Sequence, residues 1–512
     1  MILESWRRDP TGRNMQRLTW WMGYVAVVGA GLFIALVFRG RVLLQPFLVL
    51  TLGVLALLLV AWLMRPRAAL YVTLFLTMVG DISTAPWYPF NKNLSSRESI
   101  TFVADALTTS PLEMSLLLGF VTSILRQYAS TGRPFVRSPL IRPVLVFTGF
   151  VVFGFINGLG SGGDLRISLF EGRSLFYILF VYVIVTNECR TLRHLRIAMW
   201  WVFGGIALHS LIALDFLLAM SPEARNDLES LADHGASIAM NMLVMALLYC
   251  VLFRRVPLVH TLLLLAAAIP ITWVYLVSQR RSAVAALAIG TIVALMVLFW
   301  RQPRTFWKVG PVLAIITVGY LGAFWTSESA AGFPAQAIKA AIAPEQAAEE
   351  DRNSDLYRDI ENFNVSYTIR AAPVAGLGFG HPFLRPVTLP GITPFALGNY
   401  VPHNSFLWFW IKTGFGGFAA LMYMIGKSIV TGVDRVRRLD DGFDVVVALS
   451  GVTFVVMYTV FTYVDIAWDA RNMVLLGLSI AICASRAPTS KRAEPNVSAT
   501  SRRPAIEVPA SR

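Results

Sequence analysis

The chain alternates apolar runs of about 20 residues with short connections, from residue 18 to residue 485. About 20 apolar residues, rising about 1.5 Å each, cross the roughly 30 Å hydrocarbon core of a bilayer. Fourteen candidate spans are read at 18–37, 43–64, 68–85, 108–125, 143–158, 168–187, 197–219, 237–253, 257–277, 282–300, 309–326, 404–426, 443–463 and 471–485. Only 14% of the residues are charged while 56% are apolar, against about 25% charged in a soluble domain. A soluble fold would have too little polar surface to cover itself. The composition excludes a disordered chain, a collagen-like chain, a disulfide scaffold and an ordinary cytosolic enzyme. The expected fold class is an all-α polytopic membrane protein of about 12–14 transmembrane helices with one large extracytoplasmic loop.

The net charge of +14 is spread over the connections and forms no single patch, so no nucleic-acid partner is expected. Basic residues favour the cytoplasmic side. Arg7, Arg8, Arg13 and Arg17 place the arm 1–17 inside, and alternate connections are then basic too, such as Arg65 with Arg67 and Arg190 with Arg193. The first span is too long for a removed signal peptide and lacks its cleavage site. The expected organisation is a basic arm 1–17, about eleven spans over 18–326, an outer loop 327–403, three spans over 404–485 and a disordered cytoplasmic tail 486–512, with both termini cytoplasmic. Cys189, Cys250 and Cys483 have no metal-ligand spacing and need no disulfide; no metal or other cofactor is expected.

Three arginines oppose the charge rule. Arg280 and Arg281 lie in a very short outer connection, and Arg173 lies about one and a half turns inside the sixth span. An ionisable residue at membrane depth is costly and marks function by default. The structural alternative is snorkelling or an ion pair, for instance Arg173 with Glu171 or with a neighbouring helix. His194, His209, His234 and His260 are read as structural, and Asp465 and Asp469 as ion-pair partners of Arg471.

Long loops in compact proteins usually carry function. Within 327–403, Arg352, Asp355 and Asp359 have the i, i+3, i+4 spacing of a surface helix, with Tyr357, Ile360, Phe363 and Tyr367 as its expected buried face. A glycine-rich turn follows, Gly376-Leu-Gly378-Phe-Gly380, then His381. It is either a tight turn that brings backbone against backbone or a cradle of N–H groups for a phosphate or sugar. Pro402-His403-Asn404-Ser405 closes the loop. Asn404 or Ser405 caps the next helix, and the positive helix end keeps the His403 imidazole neutral. Gly414, Gly416 and Gly417 offer a smooth face for close helix packing.

His403-Asn404, nine residues, then Gly414-Phe415-Gly416-Gly417 resembles the signature of the O-antigen ligase and O-antigen polymerase superfamily. Pro373-Val-Ala-Gly376-Leu-Gly378-Phe-Gly380 is similar to that family's glycine turn. Arg358 stands where the family has an arginine at the start of the loop helix. Ser278-Gln-Arg280-Arg281-Ser282-Ala283 looks like the family's Ser-Arg-Gly-Ala segment, with Ser282 for Gly, and Arg281 is the favoured equivalent because small residues follow it. Arg173 looks like the family's earlier outer-face arginine. The resemblance covers about residues 165–480. It implies a C-type membrane glycosyltransferase, independent of metal, working on the outer face of the bacterial inner membrane. Its donor would be a glycan linked to polyprenyl (undecaprenyl) diphosphate.

The residues fit that chemistry. Guanidinium groups stabilise a leaving diphosphate through paired N–H donors; Arg173 and Arg281 are the expected clamp, completed by Arg280 or Arg358. His403 is the expected base for the acceptor hydroxyl, and attack opposite the leaving group inverts the anomeric centre. Asn404, Gly378 and His381 are the further expected substrate contacts. The acceptor is a lipid A core for a ligase, a lipid-linked repeat for a polymerase, with a chain-length regulator as candidate partner, or a protein. The shared residues do not separate these. The alternative from another class is a transporter or flippase of lipid-linked glycan, which fourteen spans fit equally well.

Overall fold

The computed structural model describes residues 46–485 except 81–82, 106, 222, 224–230, 254–255, 328, 390–396 and 440–441, with side chains from residue 53 onward, that of Glu350 excepted. The arm 1–17, the span expected at 18–37 and the tail 486–512 lie outside the described residues. Every regular element among the described residues is helical.

The bundle runs α1 (Pro46–Met64), α2 (Pro66–Val79), α3 (Pro111–Thr131), α4 (Ile141–Gly160), α5 (Leu165–Gly172), α6 (Leu175–Glu188), α7 (Leu192–Ala219), α8 (His234–Leu252), α9 (Leu258–Ser278), α10 (Arg281–Arg301) and α11 (Pro303–Phe324). Two shorter helices, α12 (Phe333–Ile342) and α13 (Glu349–Ala371), fill much of the long connection, and α14 (Ser405–Arg438), α15 (Phe443–Val464) and α16 (Ala470–Ala484) complete the chain. The protein is a polytopic membrane protein. Eight of the described helices are long and apolar enough to cross a bilayer, nine if α5 and α6, bent by 44°, count as one. That is fewer than the thirteen spans expected within these residues. α3 falls short because Glu113 and Arg126 stand within it, α2 and α16 are apolar helices of only 14 and 15 residues, and α1, though 19 residues long and apolar, is counted only over Gly53–Met64.

The helices form one layered bundle. α8 and α15 are its centre, with 78% and 83% of their apolar windows buried, whereas α11 has none buried and lies at the rim. Small residues let backbones close up: a Cβ on Gly205 of α7 would meet the Phe75 carbonyl of α2 at 2.6 Å, and one on Gly477 of α16 would meet the Ile178 carbonyl of α6 at 2.9 Å. The chain reverses at each connection, so the bundle has two ends. One end gathers Gly80, Ser174, Asp233, Arg281, the 325–404 connection and Asp465. The other gathers Arg65, Gly132, Glu188 and the start of α15.

The structure corrects the expected inner face of α13. Glu361, Asn364, Val365 and Thr368 are buried, while Phe363 and Tyr367 are about half exposed. Asn364 exchanges two hydrogen bonds with the Val387 backbone (2.7 and 3.0 Å), and Thr368 Oγ1 accepts from the Leu384 amide (2.9 Å). The polar stripe points inward, where the 384–387 backbone supplies its partners.

Candidate functional site

α14 begins at the corner Pro402-His403-Asn404 because Asn404 caps it: its side chain accepts from the Leu407 amide at 3.1 Å. His403 is thereby fixed one residue before the cap, above the first turn. Glu361, buried on α13, grips it twice. One carboxylate oxygen accepts from the His403 backbone amide (2.8 Å), and the ring Nδ1 lies 3.1 Å from the same oxygen and 3.3 Å from the other. The edge of the ring packs against Tyr357, with centroids 5.7 Å apart. Nδ1–H facing a carboxylate leaves the lone pair on Nε2, which has no hydrogen-bond partner among the described residues. This is the arrangement of an oriented general base. Glu361 was legible only as one of many acidic residues in the loop.

Arg281, at the first turn of α10, reaches across to α13. Its two terminal nitrogens donate to the Asp355 carboxylate (3.2 and 2.9 Å), and its Nε lies 3.2 Å from Asp351. Both partners are acidic, so the guanidinium is already neutralised. Arg358, one turn along α13, is less engaged. Its nearest carboxylate is Asp355 at 3.8 Å, and its buried Nε has no hydrogen-bond partner among the described residues. Arg280 is the residue before α10 and is half-buried.

A second histidine stands on the same side of the bundle. Asp465, after α15, is buried and receives Ser282 Oγ (2.7 Å) on one oxygen, while the other lies 2.7 Å from His234 Nδ1. Burial alone would raise the Asp465 carboxyl, but His234, Ser282 and Arg358 overcome it and hold it below the ordinary carboxylate range. The Asp465 carbonyl also accepts from Ser405 Oγ (3.1 Å), which ties this loop to the start of α14. Arg471 reaches Asp233 (3.2 Å) and its charge also acts on Asp469, which caps α16 through the Asn472 amide (3.1 Å).

Arg173 has its own partners. Its Nε is 3.2 Å from Glu113, and it also donates to the Thr108 carbonyl. It lines a cavity of about 260 Å³ with Ser110, Tyr177, Asp469 and Arg471. Arg173 and Arg281 share no protein partner among the described residues. The ion pair with Glu171 is corrected as well. Glu171 meets Lys412 of α14 at 2.7 Å, both wholly buried.

The glycine turn is spent on packing. Leu377 N–H donates to the Ile411 carbonyl (2.6 Å), Phe379 N–H to that of Gly154 (3.1 Å) and Gly380 N–H to Glu171 (2.7 Å). Gly378 has φ 82°, and a Cβ there would fall 2.2 Å from the Gly158 nitrogen. These three amides are committed to protein acceptors and are unavailable to an anion. His381 Nε2 lies 2.9 Å from Ser161 Oγ and 3.1 Å from the Gly158 carbonyl, which holds the turn on the end of α4. Gly414 does more than smooth a face. Its φ of 70° breaks α14, so that Phe415 N–H turns to the Pro373 carbonyl (3.1 Å). Gly416 and Gly417 pack on Phe150 of α4.

Among the described residues no group of three or more His, Cys, Asp or Glu is placed to hold a metal ion. No protein-family model matches the chain, and no curated protein matches it.

Proposed function

We propose that the chain is a membrane glycosyltransferase that moves a glycan from a polyprenyl-diphosphate donor to an acceptor hydroxyl, in the manner of an O-antigen ligase or polymerase. The observation that carries this reading is His403 held at Nδ1 by the buried Glu361, on the helix that also bears Arg358 and the partners of Arg281. In the proposed reaction the acceptor oxygen bonds to the anomeric carbon. Its proton passes to His403 Nε2, and the bond from that carbon to the diphosphate oxygen breaks. The diphosphate leaves as an anion, and Arg358 and Arg281 balance its charge. Glu361 holds the tautomer and balances the imidazolium.

The basic connections lie at the bundle end away from His403, which supports a site on the outer face of a bacterial inner membrane with cytoplasmic termini. The test is complementation of a deletion strain with wild type, His403→Ala, Arg281→Ala and Arg358→Ala, reading polymer length and attachment on gels. Single lipid-linked repeats in the deletion mean a polymerase. Long unattached lipid-linked polymer means a ligase. Intact glycan trapped on the cytoplasmic side means a transporter and overturns the assignment.

A further inference from the structure

At the end of the bundle away from His403, the α1–α2 corner, the end of α3, the end of α6 and the start of α7 enclose two adjoining cavities of about 550 and 420 Å³. They share Arg67, Arg126, Glu188 and His194. Arg65 and Arg193 complete the first, and Arg190 lines the second. Five guanidinium groups therefore face one carboxylate.

The arginines are held in place by neutral acceptors. Arg67 Nη1 donates to His194 Nε2 (3.2 Å), Arg126 to the Leu63 carbonyl, and Arg190 to the Asn187 carbonyl (3.0 Å) and the Gln127 amide oxygen. Glu188 lies within electrostatic reach of Arg67, Arg126 and Arg190, so one carboxylate offsets part of the charge and most of it remains. Orientation of the chain in a membrane needs only a count of basic residues near helix ends. It does not need them to line a shared hollow, where like charges repel even though Arg65, Arg67, Arg190 and Arg193 are exposed. Convergence on a hollow is the arrangement that recognises a phosphate, which several guanidinium groups bind through paired donors. Met64, Tyr71 and Ile197 line the same hollow, so its wall is apolar beside the charges, as at a bilayer headgroup level.

We propose that this hollow is a binding site for a phosphate group, carried either by an anionic lipid headgroup or by a small soluble anion. It is separate from the His403 site and does not depend on the reaction proposed there.

The test uses the full chain purified in detergent and in phosphatidylcholine nanodiscs with or without phosphatidylglycerol. Lipid retention is read by native mass spectrometry, and the melting temperature is read with added inorganic phosphate or pyrophosphate. Preferential retention of phosphatidylglycerol, falling at least about fivefold in Arg67→Gln and in Arg193→Gln, supports a lipid source. A rise in melting temperature with phosphate or pyrophosphate, without lipid preference and lost in the same variants, supports a soluble source. Arg193 is exposed, so its replacement leaves the packing intact should Arg67→Gln fail to fold. No preference over phosphatidylcholine together with no response to either anion overturns the proposal, as does binding unchanged in both variants.

Discussion

Glu361 accepts from both the backbone amide and the ring Nδ1 of His403, at 2.8 and 3.1 Å, from a position that is 2% exposed. The carboxylate therefore sets both where the imidazole sits and which nitrogen carries its proton. Glu361→Gln keeps the shape but offers a donor that favours the other tautomer. Glycan transfer is expected to fall at least about 100-fold, mainly in kcat, with little change in KM for the donor. Ring-nitrogen chemical shifts of labelled His403 check the tautomer without reference to activity. An unchanged rate with an unchanged tautomer removes Glu361 from the assignment.

Arg281 is committed to Asp351 and Asp355, so an incoming diphosphate competes with two carboxylates for it. Asp355 is 44% exposed, and a pair of that kind is worth about 0.2–1 kcal/mol. Asp355→Asn is expected to lower KM for a lipid-diphosphate donor by about two- to fivefold. A higher KM would mean that Asp355 instead aims the guanidinium. Steady-state assays with a fixed acceptor separate the two.

Lys412 and Glu171 are both wholly buried and 2.7 Å apart, with the His381 carbonyl and the Gly380 amide as their other partners. They join α14, α5 and the glycine turn. Lys412→Met leaves a lone buried carboxylate and is expected to cost about 3–5 kcal/mol. Adding Glu171→Gln is expected to restore part of that, because Gln still accepts from Gly380. Denaturant unfolding in detergent gives both values. Equal stability of wild type and Lys412→Met would show the pair to be energetically idle.

Gly414 has φ 70°, and a Cβ there would fall 1.9 Å from the Val374 carbonyl. Gly426, on the same helix, has nothing within 4 Å of that position. Gly414→Ala therefore combines the strain of a φ 70°, ψ −177° backbone open essentially to glycine, about 1–3 kcal/mol, with a backbone clash, and the folded yield is expected to fall steeply. Gly426→Ala is expected to match wild type. Size-exclusion profiles after extraction compare them, and a normal Gly414→Ala profile would deny the kink its structural role.

The helices were readable because a bilayer demands long apolar runs, and the start of α14 was readable from Asn404. The inner face of α13 was not. Periodic aromatics usually mark burial, but here Glu361, Asn364 and Thr368 take the inner face because His403 and the 384–387 backbone supply their partners. Lys412 gave no signal, since a single lysine in an apolar run does not name its partner 241 positions earlier. The glycine turn left two readings open because φ > 0 serves close packing and anion cradles alike. Only the destinations of its amides distinguish them.

Asp469 shows how such a partnership reads out against pH. It is buried, with Asp233 nearby, and its carboxyl is pushed up to about 6 from an ordinary 3.8 by burial and then by the Asp233 charge. The folded state thus holds a proton that the unfolded chain releases at lower pH. Stability from this group is greatest below about pH 4 and declines as pH rises toward 6. Asp469→Asn keeps an oxygen for the Asn472 amide and removes the titration, so its melting temperature is expected to fall less than that of wild type between pH 4 and 6. Melting curves in detergent at half-unit steps compare the two, and parallel profiles would place the titration elsewhere.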